Sequence, residues 1–165
     1  MGTLALHGGG EFEPGDERFL GAIIEAARVR TAGHLRPVVA VVVPAAAARG
    51  RPDLAGARGV AALEAVAGSL DVPVDASVVP VVDAASAEDE GIARRLAAAD
   101  LIYLPGGDPD LIPSILGGTA AWRAISGALA GGAIVAGASA GAMGLAPLTW
   151  TPTGIVAGLG AATGI

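Results

Sequence analysis

The fold turns on residues 133–144, AIVAGASAGAMG. An apolar run reaches Gly137, then Ser139 between two alanines, then Gly141, and a helical pattern follows. Read as strand, turn and helix, this is the G-x-S-x-G nucleophile elbow. The serine sits at the tip of a sharp turn, and small residues two before and two after it let strand and helix approach closely. The backbone N–H of the next residue, Ala140, then points into the site and can stabilise an oxyanion. Glycine makes up 26 of the 165 residues, so chance alone supplies about 0.15 matches to this motif. A small-residue turn around a hydrogen-bonded serine stays open as the plainer reading. The elbow gains from its context between a strand and a helix.

Outward from this stretch, apolar strands alternate with helical patterns. Strands are expected over 3–8, 37–44, 74–81, 100–105 and 133–138, the third nearest an edge. Helices are expected over 17–30, capped by Asp16, near 56–69, from Ser86 and Asp89 as a capping box to about residue 98, and after Thr119. Residues 44–56 read as a surface loop. The β-α-β-α order predicts an α/β fold, a mostly parallel sheet with helices on both faces, in one domain over 1–165. Ligand sites in such sheets lie outside the carboxyl ends of the strands. Three glycine-rich loops leave such ends: HGGGEF (7–12), PGGDPD (105–110) and GASAGA (137–142).

PGGDPD can turn backbone N–H groups toward the serine, with Gly107 as a second oxyanion donor; a simple Pro-Gly-Gly-Asp turn is the alternative. HGGGEF fails as a dinucleotide fingerprint, because Glu13 stands where the third glycine is needed. Its glycines, Gly10 among them, fit a loop held close beside the site, and Glu11 is a candidate for contacting substrate. Asp108 is the matching candidate in the second loop. His7 ends the first strand on the same edge and reads as a core or rim histidine; His34 reads as incidental.

Composition removes several function classes. The net charge is -6, and every basic residue is arginine. No basic cluster or aromatic platform suits a nucleic acid, and the absence of lysine excludes a P-loop. No cysteine is present, so thiolate metal sites and a cysteine nucleophile are excluded. The two histidines lack metal-ligand spacing. Residues 124–165 carry no ionisable side chain, yet glycines, two prolines and polar residues break the run, and buried parallel strands read the same way. No membrane span is expected, and the start of the chain lacks a signal-peptide pattern, which places the protein in the cytoplasm by default.

LHGGGEF, DLIYLPGGDPDLI, GTAAWRAI and GGAIVAGASAGAMGLAP, in this order and spacing, resemble the cyanophycinase and dipeptidase E family of serine peptidases. The resemblance covers nearly the whole chain, and its nearest flavour is the set of type 1 glutamine amidotransferase-like bacterial proteins. It implies a three-layer αβα sandwich of class I glutamine-amidotransferase-like, flavodoxin-like topology. Ser139 is then the nucleophile, with the Gly107 and Ala140 N–H groups as oxyanion hole. The implied activity is hydrolysis of a small peptide or isopeptide bond next to an acidic residue through an acyl-enzyme, with no cofactor and no metal. A serine in place of the amidotransferases' cysteine argues against ammonia transfer from glutamine. Two departures stand out. Pro109 follows Gly-Gly-Asp where cyanophycinases often carry glutamine, and no His, Asp or Glu follows Ser139, whereas the family's base and acid do. The expectation is a fragment lacking its base; the alternative is a catalytically inactive binding module on the same fold. The residues name neither the substrate nor the oligomeric state.

Overall fold

The computed structural model describes residues 2–32 and 36–162; His34 lies outside them. The chain runs β1 (Thr3–His7), α1 (Glu17–Arg30), β2 (Val38–Val42), a 3-10 helix (Pro44–Arg49), α2 (Pro52–Ser69), β3 (Asp75–Val79), α3 (Ala84–Ala87), α4 (Glu90–Ala97) and β4 (Leu101–Leu104). It continues with α5 (Leu111–Leu116), α6 (Ala120–Ala130), β5 (Ile134–Ala138), α7 (Ala140–Leu145), β6 (Leu148–Thr151) and β7 (Gly154–Ala157). The five main strands pair in the order β1-β5-β4-β2-β3, all parallel. β6 and β7 form a separate antiparallel hairpin.

The sheet is covered on both faces, which explains why β4 and β5 are buried at every position. Alternate strand residues divide between two cores. Val39, Val41, Leu101, Tyr103, Ile134 and Ala136 pack under α1 and α2 with Leu20, Ile24 and Leu63. Ala40, Val42, Ile102, Leu104 and Val135 pack on the other side with Leu96, Ile112, Ile125 and Leu145. This is the three-layer αβα sandwich that the alternation of elements predicts, and β3 takes an edge as expected.

Local readings need correction at four places. Asp16 stands at the N-cap position of α1 but makes no side-chain cap bond; its carboxylate is used elsewhere, as described below. The capping box near residue 86 belongs to Asp83 and Ser86, which exchange bonds at the start of α3, while Asp89 caps α4 by accepting from Ile92 N–H. A short helix and a tight break thus replace one longer helix. The expected loop over 44–56 contains the 3-10 helix and the first turn of α2, which begins at Pro52, a residue suited to the first helical position. The hairpin and α5 had no separate place in the sequence reading. Thr119 caps α6 as expected, accepting from Trp122 N–H.

Residues 124–162 are taken up by α6, β5, α7, the hairpin and their connections. Among the described residues, no helix is long and apolar enough to cross a membrane.

Candidate active site

β5 leads into Ser139 and α7 leaves it, so the serine occupies the strand-to-helix turn. Its backbone sits at φ 49 and ψ −118, a conformation that L-residues rarely adopt. Such outliers persist only where the surroundings over-determine them. Here the Ser139 N–H donates to the carbonyl of His7 across the β1–β5 edge (3.0 Å), and its own carbonyl accepts the first bond of α7, from Met143 N–H. The flanking glycines are needed for close approach. A Cβ on Gly137 would lie 2.7 Å from the Gly141 carbonyl carbon, and one on Gly141 would lie 2.0 Å from the Leu104 oxygen. Ala140 opens α7, so its N–H has no intrahelical partner.

The PGGDPD loop after β4 lies beside the elbow. A Cβ on Gly106 would sit 3.0 Å from Ser139 Cβ and 2.4 Å from Glu11 Oε1. Gly107 adopts φ +147, where a Cβ would lie 2.1 Å from the Ala45 carbonyl oxygen, and Asp108 N–H donates to that same carbonyl at 2.8 Å. Among the described residues no acceptor takes the Gly107 N–H. Asp108 turns its carboxylate back onto Asp110 N–H (3.0 Å) and does not line the cavity at Ser139.

The HGGGEF loop after β1 closes the third side. A Cβ on Gly9 would lie 3.7 Å from Ser139 Cβ. Glu11 accepts the Gly106 N–H at 2.7 Å. Gly10 takes a left-handed conformation at φ 76, and its carbonyl accepts Glu13 N–H, so it shapes the turn, with open space where a Cβ would stand. The three glycine-rich loops therefore meet at one point, outside the carboxyl ends of β1, β4 and β5.

A cavity of about 410 Å³ opens there, lined by Ser139, Gly106, Gly107 and Glu11 and also by Arg51 and Arg58. Arg51 is the N-cap residue of α2 and Arg58 lies in its second turn. The sequence carries no long-range signal that brings this helix to the elbow, so neither arginine stood out. Arg123, the arginine it did consider, lies on the surface, donating to the Gly118 carbonyl and facing Glu88.

His7 does not extend toward Ser139 Oγ in any bond or ion pair. Its ring packs against Phe19 at 4.9 Å between centroids, and its Nε2 lies 3.3 Å from Asp16 Oδ1. No group of three or more His, Cys, Asp or Glu suited to a metal ion occurs among the described residues.

The family model for peptidase family S51 matches residues 37–153. The chain belongs to peptidase family S51. The match to S51 spans β2 through β6 and includes the Gly-Gly-Asp loop and the elbow. Among solved structures, the S51 chain is similar to a peptidase from an acI-B1 actinobacterium, at 26% identity and a TM-score of 0.80, over 98% of this chain and 65% of that one. It shares its fold, at 21% identity and a TM-score of 0.58, with a protein proposed to be a peptidase E from Listeria monocytogenes EGD-e, over 90% of this chain and 63% of that one. The chain thus spans just under two thirds of each of these structures. No curated protein matches it.

Proposed function

We propose that this S51 chain carries the nucleophile and oxyanion portion of a serine peptidase that cleaves a small peptide or isopeptide bond. Ser139 Oγ attacks the carbonyl carbon, the carbonyl oxygen takes up negative charge, and the Gly107 and Ala140 N–H groups stabilise it. A base takes the Ser139 proton and passes it to the nitrogen as collapse expels the amine, leaving an acyl-enzyme on Ser139 that water then hydrolyses. The observation that carries this reading is the strained backbone of Ser139 in a strand-to-helix turn, with glycine required on both sides. Arg51 and Arg58 in the lining of the same cavity fit a substrate with an acidic group, since guanidinium pairs well with carboxylate.

A serine hydroxyl needs a base to act at neutral pH. No described side chain is bonded to Ser139 Oγ as such a base, so the reading requires one from outside the described residues. That same observation supports the second reading, a module that binds an acyl or anionic group in the cavity without turnover.

A fluorophosphonate probe separates the two. The peptidase reading expects covalent labelling that Ser139→Ala abolishes, and hydrolysis of acidic dipeptides that falls with it. Equal labelling of parent and Ser139→Ala would remove Ser139 from the role of nucleophile. Ligand-dependent thermal stabilisation with no Ser139-dependent chemistry would establish the binding module.

A further inference from the structure

The segment from His7 to Asp16 is fastened to itself and to both halves of the site. At its start, the His7 carbonyl holds the Ser139 N–H at 3.0 Å. At its end, Asp16 is almost wholly buried and reaches back over the segment. Its Oδ2 accepts the Phe12 N–H at 2.9 Å, and its Oδ1 lies 3.3 Å from His7 Nε2. Between these points Glu11 accepts the Gly106 N–H.

Phe12 is the tension point. It sits at φ 64, in the left-handed region that bulky residues avoid. The Asp16 bond holds its backbone there, and its ring is held by Tyr103, 5.3 Å away between centroids. Room for that ring comes from α2, where a Cβ on Gly59 would approach Phe12 Cζ to 3.1 Å. With Phe12 fixed, the preceding residue, Glu11, is delivered to Gly106. Asp16 is free for this because it does not cap α1.

We propose that residues 7–16 form a strap that fixes the Pro105–Gly106 peptide and so sets the direction of the following Gly107 N–H for catalysis, with Asp16 as the positioning residue that closes it. The inference rests on the serine peptidase reading of the same site. Asp16 touches neither the nucleophile nor the cavity. It acts through Phe12 and Glu11 on the N–H of the oxyanion loop.

The test uses the full-length protein, with whatever segment supplies the base, a fluorophosphonate probe and amide hydrogen exchange. Asp16→Ala is expected to lower the saturating inactivation rate constant by on the order of 10-fold to 100-fold, with little change in the half-saturating probe concentration. Glu11→Ala is expected to do the same, and the double variant to be no worse than Glu11→Ala, because the two act in series. Asp16→Asn keeps an oxygen for the Phe12 N–H and is expected to recover most of the lost rate. Gly106 amide exchange is expected to accelerate in both alanine variants. Additive losses, or unchanged Gly106 exchange in Asp16→Ala, would overturn the strap. If the parent itself fails to label, the peptidase reading falls, and Gly106 exchange in Asp16→Ala and in the folded Asp16→Asn still decides whether the strap exists.

Discussion

At the scale of single residues, the elbow was legible because its requirements are local. Gly137, Ser139 and Gly141 are close in sequence, and the spacing itself states that strand and helix must touch. The company Ser139 keeps was not legible in the same way. Glu11 on Gly106 joins distant segments, Arg51 and Arg58 line the same cavity from far along the chain, and the bond of Asp16 to Phe12 is one of several local options, so no pattern along the chain encodes them. Asp16 shows the cost of a local rule: an aspartate before a helix was read as its cap, while a tertiary contact claims its carboxylate. Tyr103 offers a test at this scale. It is fully buried, and its hydroxyl has no hydrogen-bond partner among the described residues. Burial foremost, then the charges of Asp16 and Glu11, pushes the phenol's pKa well above its usual 10.0. In the folded chain the phenol keeps its proton, whereas the unfolded chain releases it near pH 10. This contribution to stability is therefore fully present below pH 10.0 and is lost as pH rises above it. Tyr103→Phe is expected to flatten that alkaline loss and to raise neutral-pH stability by up to about 1 kcal/mol, by removing an unpartnered buried hydroxyl. Urea midpoints measured from neutral to strongly alkaline pH check it; parallel decline of parent and variant would clear Tyr103. It is the chain's only tyrosine, so phenolate absorbance reports its ionisation directly.

At the scale of elements, the regular parts were read well where periodicity was long. The 17–30 helix and the strands ending at His7, Leu104 and Ala138 all stand within a residue or so of expectation. Short pieces were misread, because α3, α5 and the 3-10 helix are too brief to show a period and are set by their surroundings. The helix α7 is an instructive case. It is six residues long, too short to persist alone, and it exists because it lies almost in contact with β4 and β5. Gly141→Ala is expected to force α7 away from the Leu104 carbonyl, which a Cβ would approach to 2.0 Å. The expected destabilisation is about 3 kcal/mol, at the high end for overpacking because the obstacle is backbone. Chemical denaturation measures it. A loss below about 1 kcal/mol would mean that the elbow can relax outward without penalty.

At the scale of the whole molecule, the sheet has two ends with different work. The carboxyl ends carry the three loops and the cavity. The amino ends carry Asp100, which pairs with Arg30 from the end of α1 and accepts the Val38 N–H at the start of β2. Asp100→Ala is expected to cost about 2 kcal/mol, chiefly by leaving that N–H without its partner, since Arg30 can turn to water. The probe reactivity of Ser139 should hardly change, because the substitution is at the far end of the sheet. A matching loss of reactivity would show that the two ends are mechanically linked. The layered architecture was visible in the alternation of elements, but strand order was not, since β1 is placed beside β5 by pairing and not by sequence proximity. That placement bears on how the chain assembles. Thr3 pairs with Ile134 and His7 with Ala138, so the first strand made during synthesis waits for the last of the main sheet. β2, β3 and β4 join through nearer neighbours, and closing the largest loop carries the greatest entropic cost. The nucleophile's turn and the segment that clasps it are consequently completed together at the end of folding, and reactive serine should emerge only in the slowest kinetic phase.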